Sequence, residues 1–192
     1  MARPARFTVD SILDVALTLH AQGGTAAVST AAIVAAGIPS GSIYHRFVSR
    51  QHLLTAMWLR SVDRFRSDIE QRIRSADTAE ALAAVAVSVF DWAQENPDDA
   101  AVLLDVQRSD VSGVVPESVV QELEDARRWV AAAVSDAAGR LGVPDIKITF
   151  AVVDVPSAAV RRARDLPVAA VPPLRDVLAA AALAVLTSDE PR

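Results

Sequence analysis

The stretch AAGIPSGSIYHRF, residues 35–47, limits what this chain can fold into more than any other part of it. Gly37 takes left-handed backbone at little cost, and the residue before Pro39 avoids the helical region, so a helix must stop here. A second helix then has to start within three residues, carrying Ser40, Ser42, Tyr44, His45 and Arg46 in little more than one turn. So short a helix cannot bury that many polar groups. Ile43 and Phe47, four residues apart, lie on one face and are expected to anchor it, which leaves the hydroxyls, the imidazole and the guanidinium directed outward.

The rest of the chain predicts an all-α protein. Of 192 residues, 52% are hydrophobic but only 5% are aromatic and 7 are glycine, so the apolar content is chiefly Ala, Val and Leu, and alanine favours helix. With no cysteine, neither a disulfide framework nor a thiolate metal site is available. The N-terminus has no apolar signal segment, and runs such as ALAAVAVSVF fall short of the roughly 18–20 residues that span a bilayer, so a cytoplasmic protein without a membrane segment is expected. Eighteen arginines stand against a single lysine, Lys147, which together with the alanine content fits a GC-rich bacterial genome.

Charge is unevenly distributed along the chain. Residues 1–74 hold nine arginines against five acids, a balance of +4, whereas the remainder holds ten bases against nineteen acids, a balance of −9. A basic N-terminal part on an acidic remainder is what a polyanion-binding head requires. Uneven surface charge alone gives the same pattern.

Apolar spacing places the helices. Val9, Ile12, Leu13, Ala16, Leu17 and His20 form a stripe that ends at Gly23-Gly24; Ser29 or Thr30 caps a short helix closed by Gly37; Ser40 or Ser42 opens the next, which reaches Phe47. Ser49 caps a helix of about 24 residues bearing Leu54, Trp58, Phe65, Ile69 and Ile73 on one face. Asp77 with Glu80 makes a capping box for a fifth, centrally buried helix, and Asn96-Pro97-Asp98-Asp99 restarts a sixth. A seventh ends at Gly142. The segment IKITFAVVDV suits strand or helix by its β-branched residues and is assigned to helix, since a lone strand has no partner here. A proline-punctuated connection leads to a last helix over about 174–187.

A short helix, a tight glycine turn and a second short helix with a polar outer side make a helix-turn-helix, whose second helix fits the major groove. An ordinary helical hairpin with a solvated face has the same pattern. The run AAGIPSGSIYHRFVSRQHLLTA resembles the recognition-helix signature of the tetracycline-repressor (TetR) family of bacterial transcription regulators: Ala36-Gly37, Ile38, Gly41, Ser42, Ile43, Tyr44 and Phe47 occupy its fixed positions, with Ser49-Arg50 leading into the fourth helix. The match spans residues 8–57. Three departures stand out: Pro39 where a capping serine is usual, arginine at 46 and 50 where His and Lys are common, and Ala32-Ile33 where the family has Ile-Ala.

The resemblance implies a three-helix DNA-binding head over residues 1–48, then a long linking helix that opens a helical effector-binding and dimerising body over 49–192, about nine helices in all. It implies a non-enzymatic regulator, most often a repressor, that binds a palindromic operator as a homodimer. Tyr44 and Arg50 then contact phosphates, Ser29 and Thr30 meet phosphate at a helix N-terminus, and Ser40, Gly41, Ser42, His45 and Arg46 lie nearest the bases. Trp58, Phe65, Phe90, Trp92, Trp129 and Phe150 become candidates to line a cavity for a small, mostly apolar effector, although each serves equally as plain core. The last two helices present small apolar faces suited to pairing between two copies or to covering the chain's own core. No cofactor is expected, and His20, His45 and His52 lack partners at metal-ligand spacing. A helical small-molecule-binding or scaffolding protein without operator-specific DNA binding is the alternative reading.

Overall fold

The computed structural model describes residues 7–107, 109–111 and 113–188, and every regular element among them is helical. In chain order these are α1 (Val9–Ala27), α2 (Thr30–Ala35), α3 (Ser40–Tyr44), α4 (Arg50–Ser75), α5 (Ala79–Glu95), α6 (Pro97–Asp105), α7 (Glu117–Leu141), α8 (Asp145–Thr149), α9 (Val155–Arg164) and α10 (Val171–Thr187). A π-helical turn, Phe150–Asp154, joins α8 to α9 without a break, so the all-α expectation of about nine helices holds among the described residues.

Local chemistry explains most boundaries. The Thr8 hydroxyl accepts from the Ser11 amide to open α1, which loses helical geometry at Gly23 and at Gly24 (φ 66°), then adds one turn as far as Ala27. Ser29 caps α2 by accepting from the Ala32 amide at 3.1 Å, and Gly37 (φ 98°) takes the left-handed backbone that turns the chain towards α3. The Ser49 hydroxyl accepts from the His52 amide at 3.0 Å, the expected cap of α4.

Two expectations are corrected. The cap of α5 is Thr78 and not Asp77: Thr78 is the extended residue three positions before Ala81, whose amide it accepts at 3.1 Å. The last helix begins at Val171 rather than near 174, because Pro172 and Pro173 fall in its first turn, where a missing amide costs nothing. IKITFAVVDV is helical, but Pro156 has no N–H to give a regular ladder. The Val155 amide instead reaches the Phe150 carbonyl, five residues back, and the widened turn carries the chain past the proline.

The chain divides into two compact units, Met1–Asp63 with Pro97–Ala126, and Arg64–Asn96 with Arg127–Arg192. In the first, Ile12, Leu13 and Ala16 of α1, Val28, Ile33 of α2, Ile38, Ile43 of α3, Phe47, and Leu53, Leu54 and Met57 of α4 form one core. Val102 of α6 belongs to that core although it lies more than 50 residues beyond Phe47 in sequence. α6 packs along α1, and Ser61 of α4 donates to the buried Asp99 carboxylate of α6 at 2.6 Å. In the second unit, α5 is the central helix, packed by α9, α10 and the π turn, with Leu82, Val85, Phe90 and Trp92 buried along it. An Arg175 guanidinium paired at 2.7 Å with Asp91 fastens α10 to α5.

Candidate nucleic-acid interface

The residues of 40–47 sort by face as their spacing requires. Ile43 is 1% exposed and Phe47 4%, both in the core of the first unit, while Ser40, Gly41 and His45 are exposed and Tyr44 is 66% exposed. Ser42 and Arg46 are half-buried at the side, where Arg46 donates to the Ser42 carbonyl at 3.0 Å. That bond leaves most of the Arg46 fork unspent. Pro39 stands at the N-cap of α3 and offers no side-chain bond, so no serine closes the first turn of this helix.

The supporting residues behave differently. Ser29 is half-buried and its oxygen is engaged by the Ala32 amide, which leaves the hydroxyl proton to donate outward. Thr30 begins α2 beside it, also half-buried. Arg50 is turned back into the protein: Nε donates to the Val28 carbonyl at 2.7 Å and one Nη to the Thr25 carbonyl. It ties the start of α4 to the last turn of α1, and Ser29, the cap of α2, follows directly. Sequence reasoning missed this clamp, because nothing in the letter R says which way a long flexible cation turns.

Arg50→Ala is expected to lower folding stability by about 1–3 kcal/mol, the range for hydrogen bonds from a charged donor. Arg50→Lys separates the clamp from a simple cation: lysine keeps the charge but has no fork for two carbonyls, so equal stability of Lys and wild type in urea melts would remove the clamp from the account.

The charge balance of the folded unit also departs from that of the linear chain. The compact unit that holds α1–α3 takes in residues 97–126, where eight acids (Asp98, Asp99, Asp105, Asp110, Glu117, Glu122, Glu124 and Asp125) stand against Arg108. Among the described residues, Arg46 and Arg50 are the cations that flank α3 in sequence. Arg3 and Arg6 lie outside the described residues.

The aromatic candidates do not form one group. Phe65, Trp92 and Trp129 meet edge to face, with ring centres 5.1 Å and 6.1 Å apart, and the Trp92 indole donates to Asp68 at 2.9 Å. Phe90 is core of the second unit, Phe150 is exposed at the π turn, and Trp58 packs against the core of the first unit. Trp129 also lines a pocket of about 160 Å³ with Ile73, Ala132, Ala133, Glu70, Arg74, Asp136 and Arg140. Its charges are already matched: Glu70 is bridged by Arg66 and Arg74, which hold its carboxyl below the usual range, and Arg140 is beside Asp136 at 3.6 Å.

An exposed polar recognition helix on an apolar anchor, joined to a supporting helix by a glycine turn, defines a helix-turn-helix DNA-binding head. Residues 12–57 match the model of bacterial regulatory proteins of the tetR family. No curated protein matches the sequence. Among solved structures, a protein of Shewanella sp. PV-4 assigned to the tetR family of transcription regulators is similar with a TM-score of 0.71 and 22% identity, over 96% of this chain and 100% of that one. Bacillus subtilis FadR in complex with stearoyl-CoA gives 0.68 and 16% over 95% and 100%, and PfmR of Thermus thermophilus gives 0.62 and 18% over 94% and 99%. The head thus matches the tetR-family model over residues 12–57, and the chain as a whole has the fold of solved regulators assigned to that family.

Proposed function

We propose that this protein is a cytoplasmic, ligand-responsive repressor that binds a two-fold symmetric operator as a homodimer and catalyses no reaction. The observation that carries the reading is the division of α3: Ile43 and Phe47 inside, Ser40, Gly41, Tyr44 and His45 outside. In this reading Tyr44 and the free nitrogen of Arg50 hold phosphates, Ser29 and Thr30 add contacts at the start of α2, and Ser42, His45 and Arg46 reach base edges. Arg46→Ala is expected to cost about 1–3 kcal/mol on the cognate duplex and little on random DNA, whereas Tyr44→Ala weakens both alike. Equal losses for Arg46→Ala on the two duplexes, measured by fluorescence anisotropy, would move it from the bases to the backbone.

Support for the homodimer comes from apolar surface left uncovered at the C-terminus. Val168–Thr187 is long and apolar enough to cross a membrane by composition, yet only 11% of its most apolar 18-residue window is buried within the chain, and Val168 is 87% exposed. Arg175 and Asp176 within that segment argue for a protein partner rather than lipid, since charges at bilayer depth are costly. A second copy offering the same α9 and α10 faces buries both. Light scattering at micromolar concentration is expected to give twice the 20.3 kDa chain mass.

The effector in this reading is a small, mostly apolar molecule held beside Phe65, Trp92 and Trp129. A neighbour of the same fold solved with stearoyl-CoA, a ligand with a long apolar tail, supports the class. Binding shifts the population of head spacings away from the one that fits DNA.

A further inference from the structure

His52 sits in the first turn of α4, directly behind α3, and is 9% exposed. Its Nδ1 accepts the Val48 amide at 3.2 Å, and its ring meets the Phe47 ring edge to face with centres 5.3 Å apart. Phe47 is the inward anchor of the recognition helix, and Val48 is the next residue on the way out of it. One imidazole thus holds both residues through which α3 is joined to α4. An Nδ1 acceptor requires the neutral ring with its proton on Nε2. A second proton converts Nδ1 into a donor, which leaves the Val48 amide facing another N–H.

We infer that His52 is the positioning residue of the recognition helix, pinning its exit in the DNA-binding setting while neutral and releasing it when protonated, so that mild acid switches operator binding off. The inference rests on the DNA-contacting role of α3 proposed above. Other groups around the ring leave this pin as the titrating element. Arg46 on the α3 side is held to the Ser42 carbonyl, Arg50 on the same helix is turned to the carbonyls of Thr25 and Val28, and Glu122 of α7 is the charged group whose field reaches the imidazole. Burial pushes the imidazole below its ordinary value of 6.5, and Glu122 pulls weakly the other way. The neutral pin is therefore intact above 6.5, and its contribution is lost as the pH falls through the lowered folded-state value.

The test uses the full-length protein and a duplex enriched by it from a random library at about pH 8. Its affinity is expected to fall on acidification towards about pH 5, by up to about tenfold per pH unit per protomer once below the folded-state value of His52. His52→Gln keeps an acceptor for the Val48 amide but does not titrate, and its affinity is expected to stay level over the same range. The same fall in His52→Gln as in wild type overturns the inference. In the free protein, the Val48 amide resonance is expected to move with the titration of the His52 ring; a Val48 amide that ignores that titration also overturns it. Should no duplex be enriched at any pH, the operator reading fails, while the Val48 titration still decides whether His52 is the pin.

Discussion

Phe47→Ala is expected to cost about 3–5 kcal/mol of folding stability and to abolish DNA binding even under conditions where the protein remains folded. Phe47 is 4% exposed and lies among Ile12, Ile33, Ile43 and Leu54 in the core of the first unit, so truncation leaves a cavity that the short α3 cannot close. α3 has five helical residues and no side-chain cap, too few to hold its shape without its anchors. Stability and binding should therefore fall together, with the larger loss in binding. Urea unfolding followed by helicity gives the first quantity, and duplex anisotropy the second. A Phe47→Ala protein that binds its duplex as wild type does would mean that α3 is positioned by something other than its apolar side.

Val102→Asp carries the second large effect, because it strikes the head from outside the motif. Val102 is fully buried in the same apolar core as Phe47 and Ile43, and burying a carboxylate there is expected to cost at least about 3 kcal/mol. The expected result is loss of DNA binding from a residue on α6, which lies outside the helix-turn-helix in sequence. Val114→Asp is the control: Val114 is exposed and its change is expected to stay within about 0.5 kcal/mol. Retained stability in Val102→Asp would mean that α6 does not complete the core as the packing indicates.

This dependence on α6 marks where the sequence stopped being legible. The helix-turn-helix could be read because its information is local: glycine at 37 for positive φ, serine at 29 for a cap, Ile43 and Phe47 four apart for an anchor. The break in α1 at Gly23-Gly24 and the end of α7 before Gly142 follow from the same local rules. Thr78 in place of Asp77 shows the resolution of such rules, since both residue types cap well and only the register of the extended residue decides between them. Val102 reads as buried in any apolar pattern, but a pattern does not say against which helix. The same holds for His52, whose burial and Nδ1 bond depend on how the α3–α4 corner closes, and for Arg50, whose fork turns inward to Thr25 and Val28. The aromatic residues divided for this reason too: Phe65, Trp92 and Trp129 converge, while Trp58, Phe90 and Phe150 go elsewhere, although all six look alike in sequence.

Selection of duplexes from a random library, followed by footprinting of the enriched sequence, tests the central claim most directly. The account predicts a two-fold related motif whose half-sites lie about one helical turn, roughly 34–36 Å, apart, with binding that weakens as salt rises. Retention of all duplexes alike, with no motif enriched and no footprint, would contradict it.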